Sequence, residues 1–187
     1  MNDFVNWFSE VLPQIFESKN IQIEMSRRLE EIDSRIRWEA GPYDNTEDFF
    51  AFSPNFHKDL LIKTERLAKS IPKIPGWNFL GAKPRKKWAT RKIFIKNKEY
   101  YFDNWRYRLV LFEGSELFDI DFFSFDDDID EDIKLYLGVF LASSELGEKL
   151  FMKSVDRVDV KYRPKEGESS IDIKNLFDQI VELSGNI

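Results

Sequence analysis

Apolar residues recur at helical spacing over residues 3 to 17, where Phe4, Val5, Trp7, Phe8, Val11, Leu12, Ile15 and Phe16 predict an amphipathic helix with a heavy aromatic face. Asn2 or Asp3 is placed to cap its start, and Pro13 to kink it or end its first segment, because proline lacks the N–H and clashes with the preceding turn. A second helix is predicted from about Ile21 to Ile32, with Ile21, Met25, Leu29 and Ile32 on one stripe and Arg27, Arg28, Glu30 and Glu31 opposite. The period then changes to two. Ile36 and Trp38 alternate with Arg37 and Glu39, and a second strand follows at 48 to 53 after the turn residues Gly41-Pro42 and Asp44-Asn45, so a hairpin is expected. His57 to Ser70 reads as a helix, stopped by Pro72, Pro75 and Gly76 ahead of a strand at 77 to 82.

Strands are next predicted at 92 to 96, 99 to 104, 107 to 113 and 117 to 125, forming an antiparallel meander with turns at Asn97-Lys98 and Gly114-Ser115. A helix over 128 to 142 turns Ile129, Ile133, Leu137, Phe140 and Leu141 inward, and Val158, Val160 and Tyr162 alternate with charged residues in a strand over 155 to 162. A closing helix at 171 to 183 buries Ile173, Leu176, Phe177, Ile180 and Val181. The implied architecture is α+β: a mainly antiparallel sheet with helices packed on one face, plus two N-terminal helices. Neither a repeat nor a low-complexity stretch interrupts it. Residues 1–187 therefore read as one domain, with 1–33 as an N-terminal helical layer and 34–187 as sheet and helices.

Composition narrows the chemistry. The chain has 187 residues, 42% of them apolar and 33% charged, which is too apolar for a disordered chain and too charged for a membrane protein. The longest uncharged apolar run, Leu135 to Ser144, is well short of the roughly 18 residues of a spanning helix. The N-terminus has neither a basic region nor an uninterrupted apolar region, so it does not read as a signal peptide, and with no cysteine the cytoplasm is the expected location. One histidine and no cysteine exclude Cys-His nucleophiles, thiolate zinc sites and dithiol redox chemistry within one chain. His57, after Ser53-Pro54-Asn55-Phe56, reads as a partly exposed residue at a helix start. No cofactor-binding glycine loop is present, and no cofactor is expected.

Charge is distributed unevenly. The net charge of −6 divides into −6 over residues 1 to 61, +11 over 62 to 112, −10 over 113 to 132 and −1 over 133 to 187. Neighbouring strands would set many of these opposite charges across from each other, worth about 0.2 to 1 kcal/mol per exposed pair. Asp126, Asp128 and Asp130 match the start of a calcium loop, but Glu131 stands where its glycine belongs and Leu137 where its bidentate glutamate belongs. Asp128 and Glu131 fit a helix capping box better, with the following carboxylates at the positive end of the helix dipole. Asp119 and Asp121 share a strand face and, with Asp126, define the alternative of a metal-dependent phosphoester hydrolase.

The segment Lys83, Arg85, Lys86, Lys87 and Trp88 is the candidate binding site. Cations beside a stacking ring suit a nucleic-acid groove, yet the pI near 5.0 argues against one. The same residues suit a protein partner, and the 16% aromatic content provides for a subunit contact in a homodimer as well.

Three short motifs carry a resemblance. Phe52-Ser53-Pro54-Asn55 leads into a helix, Ile74-Pro75-Gly76-Trp77 leads into Phe79-Leu80-Gly81-Ala82-Lys83-Pro84-Arg85, and Leu137-Gly138-Val139-Phe140-Leu141 leads into Glu145-Leu146-Gly147-Glu148. In this order, over about two thirds of the chain, the sequence resembles a family of uncharacterised bacterial proteins. The resemblance implies an α+β fold and a bacterial cytoplasmic origin, and it carries over no catalytic residue. Small acidic α+β domains include immunity-type and regulatory proteins, so the expected function is a non-enzymatic binding or regulatory protein with an unidentified protein partner.

Overall fold

The computed structural model describes residues 2 to 112 and 114 to 185. Helix α1 (Asn2–Val11) ends in a 3-10 turn at Leu12–Gln14, where Pro13 interrupts the α-helical ladder as predicted. Helix α2 (Lys19–Ile32) starts two residues earlier than its apolar stripe suggests, because the Ser18 hydroxyl accepts a hydrogen bond from the Ile21 N–H at 3.4 Å. Strands β1 (Arg37–Pro42) and β2 (Asp48–Ser53) form the predicted antiparallel hairpin, Trp38 opposite Phe52 and Ala40 opposite Phe50. Helix α3 (Leu61–Ser70) then carries the chain over to β3 (Trp77–Leu80), which lies parallel to β2.

The contacts divide the chain into two units, Met1–Pro84 and Arg85–Ile187. In the first unit, α1, the 3-10 turn after it and α2 set Phe4, Phe8, Leu12, Met25 and Leu29 against Phe50 and Phe52 of the sheet. The Phe8 ring meets the Phe50 ring edge-on at 4.8 Å between centroids, and Trp38 stacks on Phe50 at 5.4 Å. Close helix-to-strand packing continues at Gly81, whose carbonyl accepts from the Thr64 hydroxyl at 2.6 Å.

The second unit begins with an extended strap, residues 85 to 91, followed by β4 (Lys92–Ile95) and β5 (Lys98–Tyr101), which pair with each other as a two-stranded sheet. Their tight turn places Lys96 and Asn97 at φ +48° and +65°, the backbone that a two-residue hairpin requires. A four-stranded sheet follows in the order β8 (Val155–Lys161), β7 (Phe118–Phe123), β6 (Arg106–Leu111), β9 (Ile171–Asp172). β6 is antiparallel to both neighbours and β7 is parallel to β8. The expected single meander is therefore broken in two. Phe102 and Trp105 drop into the core between β5 and β6, and that buried corner redirects the chain from one sheet into the other.

Helix α4 (Glu131–Leu146), helix α5 (Glu148–Ser154) and helix α6 (Leu176–Ser184) complete an α+β fold with six α-helices and three mostly antiparallel sheets among the described residues. Among those residues, no helix is long and apolar enough to cross a membrane. The expected capping box at Asp128 does not form. The Asp126 carboxylate accepts the Asp128 N–H at 2.9 Å and holds 126 to 128 as a turn, while Lys98 donates to the Asp128 carbonyl at 2.8 Å. The helix starts three residues later, with Glu131 and Asp132 in its first turn. The helix predicted to end at 142 runs on to Leu146, and after Gly147, at φ +77°, the chain continues in α5, which sequence periodicity does not announce. The closing helix is shorter than predicted, because Ile171 and Asp172 pair with β6 and the Asp172 carboxylate caps a 3-10 turn through the Lys174 N–H.

A Cβ on Gly81 would lie 2.6 Å from the Glu65 Cα and 2.7 Å from its N, positions that only a backbone shift relieves. Gly81→Ala is expected to lower stability by about 2 to 3 kcal/mol, read as a lower urea midpoint.

Candidate interaction surface

Helix α4 is apolar on nearly every side. Ile133, Leu137, Leu141 and Leu146 face the core with the sheet residues Phe122, Val158 and Val160. Its contact with the sheet is close, since a Cβ on Gly138 would meet the Val160 and Val158 methyl groups at 2.6 and 2.9 Å. The outer side carries Leu135 and Tyr136, 59% and 56% exposed, with Val139 and Phe140 half-buried. A helix with apolar residues all round ordinarily lies inside a protein, so this outward stripe is the unusual feature of the unit.

The strap lies along the C-terminal half of α4. The Lys86 N–H donates to the Ser144 carbonyl at 2.8 Å, and the Lys86 ammonium stands 5.3 Å from the centroid of the Phe140 ring. Trp88 meets Phe140 edge-on at 6.0 Å and Phe102 at 6.5 Å, while Tyr136 stacks on Phe140 at 6.4 Å. The result is an aromatic step, Tyr136 to Phe140 to Trp88, with a cation over its middle ring.

Beneath the strap, Glu145 is fully buried. Its Oε1 accepts from Arg91 Nε at 2.7 Å, and its Oε2 lies 3.8 Å from Arg85 Nη2 without a hydrogen-bond partner. The Arg85 guanidinium also lies 4.2 Å over the Phe177 ring. These contacts fix the strap from below, as burial of a carboxyl group demands a cationic partner.

The five candidate binding residues thus have different settings. Lys83 belongs to the first unit, its Nζ 3.8 Å from Glu39 Oε2. Arg85 is engaged with Glu145 and Phe177. Lys86 and Trp88 converge on Phe140, and Lys87 is exposed on the strap. Tyr136, Phe140 and Glu145 complete the arrangement, and the sequence does not single them out as binding residues. The available signal is the uncharged run Leu135 to Ser144, which is short for a membrane and also too uniformly apolar for a surface helix.

The acidic candidates lie elsewhere. Asp119 and Asp121 share one face of β7, as their spacing predicts, and both are buried. Arg157 Nε donates to Asp119 at 3.1 Å; Asp121 receives Arg108 and, at 2.8 Å, Lys161. Opposite charges therefore meet across β6, β7 and β8, Arg108 facing Asp121 in register. Asp126 stands outside this group in its turn, and among the described residues no three His, Cys, Asp or Glu side chains converge as a metal-ligand set. His57 is exposed at the start of a 3-10 turn, while Ser53 is buried with its hydroxyl accepting from the Asn55 N–H.

Comparison with family models, with curated proteins and with solved structures gives no match for this chain.

Burial pushes the Asp121 carboxyl group up, but the hydrogen bonds from Lys161 and Arg108 outweigh it and leave the group below its ordinary range. Because the folded value is depressed, its contribution is full above the unfolded pKa near about 3.9 and is lost as pH falls through the folded value. Asp121→Asn is expected to cost about 3 kcal/mol at pH 7 and to flatten the acid side of the stability curve, measured by urea unfolding from neutral pH downward.

Proposed function

We propose that this protein is a non-enzymatic cytoplasmic binding or regulatory protein, of the immunity-like kind, that engages a protein partner through the cationic and aromatic surface of its second unit. The observation that carries the reading is the convergence of Lys86 and Trp88 on Phe140, beside the exposed Tyr136 and Leu135. Protein interfaces concentrate their energy in aromatic anchors flanked by cations, and an open apolar stripe of this kind on a folded helix is the usual mark of such a contact. The bacterial family resemblance is in keeping with it. The buried Asp119 and Asp121 favour a structural role, since their oxygens already receive the side chains of Arg157, Arg108 and Lys161.

Capture from native lysate tests the reading. The wild-type chain is expected to retain a defined protein, its own chain included, in the presence of EDTA, and a Lys86→Glu, Tyr136→Ala variant of unchanged circular dichroism to lose it. Equal retention by both chains would remove this surface from the function.

A further inference from the structure

The outward stripe of α4 has a spacing that reads the same in both directions. Asp132, Leu135, Tyr136, Val139, Phe140 and Ser143 follow one another in steps of three, one, three, one and three. Asp132 is exposed at the acidic end of the helix, and the strap with Lys86 lies at the other end. The stripe is thus apolar in its middle and oppositely charged at its two ends.

We infer that this face binds a second copy of the same chain, with the two α4 helices antiparallel about a two-fold axis at the level of Leu137 and Gly138. The inference rests on reading the face as a binding surface and names its occupant. Reversal sets Leu135 against Phe140 of the second copy, Tyr136 against Val139, and Asp132 against Ser143. The Lys86 main chain is tied to Ser144 and its ammonium stands over Phe140, so the Asp132 carboxylate of the second copy arrives alongside it. Two-fold symmetry makes this contact twice. A parallel pair would instead bring Asp132 against Asp132 and set no carboxylate of the second copy beside either Lys86. Helices joined by residues at i, i+3, i+4 and i+7 on both partners interlock ridge into groove, which is the pattern this stripe supplies. Opposite charges at its two ends make the face complementary to its own reversed copy.

Sedimentation velocity of the purified full chain from about 1 to about 200 µM, a span that brackets micromolar self-affinity, tests the arrangement. The wild type is expected to approach twice its 22.3 kDa with rising concentration. Tyr136→Glu is expected to weaken association by about 30-fold. Asp132→Lys and Lys86→Glu are each expected to weaken it about tenfold, by placing like charges together at both symmetric contacts. In an equimolar mixture of these two variants, one contact joins the two introduced side chains, which are opposite in charge, and the other joins the unaltered Asp132 to the unaltered Lys86. The mixture is therefore expected to associate about tenfold more tightly than either variant alone. Circular dichroism of each variant confirms its fold.

A wild type that stays monomeric over the whole range overturns the inference, as does a mixture no tighter than its components. If the wild type is monomeric while lysate capture still depends on Lys86 and Tyr136, self-association is overturned and the binding surface stands. If capture is indifferent to those residues as well, both fall.

Discussion

Burial of the Glu145 carboxyl group is the constraint on which the second unit's surface depends. The group is fully buried, and so it requires cations; Arg91 and Arg85 reach it from the same short stretch of chain. That stretch has no helix or strand to hold it. Glu145 and the Ser144 carbonyl hold it instead, one through side chains and the other through the Lys86 N–H. Only because the strap is fixed in this way do Trp88 and Lys86 arrive together on Phe140. The aromatic step is thus a secondary consequence of an ion pair made beneath the strap.

The opposed charge blocks have a similar explanation. The acidic positions of β7 lie between basic positions of β6 and β8, so the sheet neutralises itself strand by strand at Asp119 and Asp121. Lys98 reaches the turn at Asp128, so some of the remaining acid run is met by the hairpin of β4 and β5. The acidic block is thus met partly from the basic block, by Arg108 and Lys98, and partly from β8, by Arg157 and Lys161, while the strap carries the basic residues that lie beside the aromatic step.

Most of the fold was legible in the sequence because its segments are strongly periodic. The kink at Pro13, the hairpin of β1 and β2, and the alternation of β8 all follow from local pattern. Misreadings cluster where a local and a distant interaction compete. Asp128 has the chemistry of a helix cap, but Asp126 captures its N–H, and the helix starts later. Gly147 divides α4 from α5 through one positive-φ residue inside an otherwise helical run. The break between β5 and β6 depends on the burial of Phe102 and Trp105, which no period announces. The aromatic step was half legible: Lys86 and Trp88 stand out as cation and ring, while Tyr136 and Phe140 are indistinguishable from core residues until the opposite side of their helix is seen to be the buried one.

The strap also sets how this chain can diverge. Arg91 donates through its Nε and Arg85 combines a carboxylate with an aromatic face, so a lysine at either position would lose contacts that depend on a planar guanidinium. Among descendants of this sequence, Arg85, Arg91 and Glu145 should persist or be replaced as a set, so that two positions of one short basic run evolve in step with a single carboxylate on the helix beneath them.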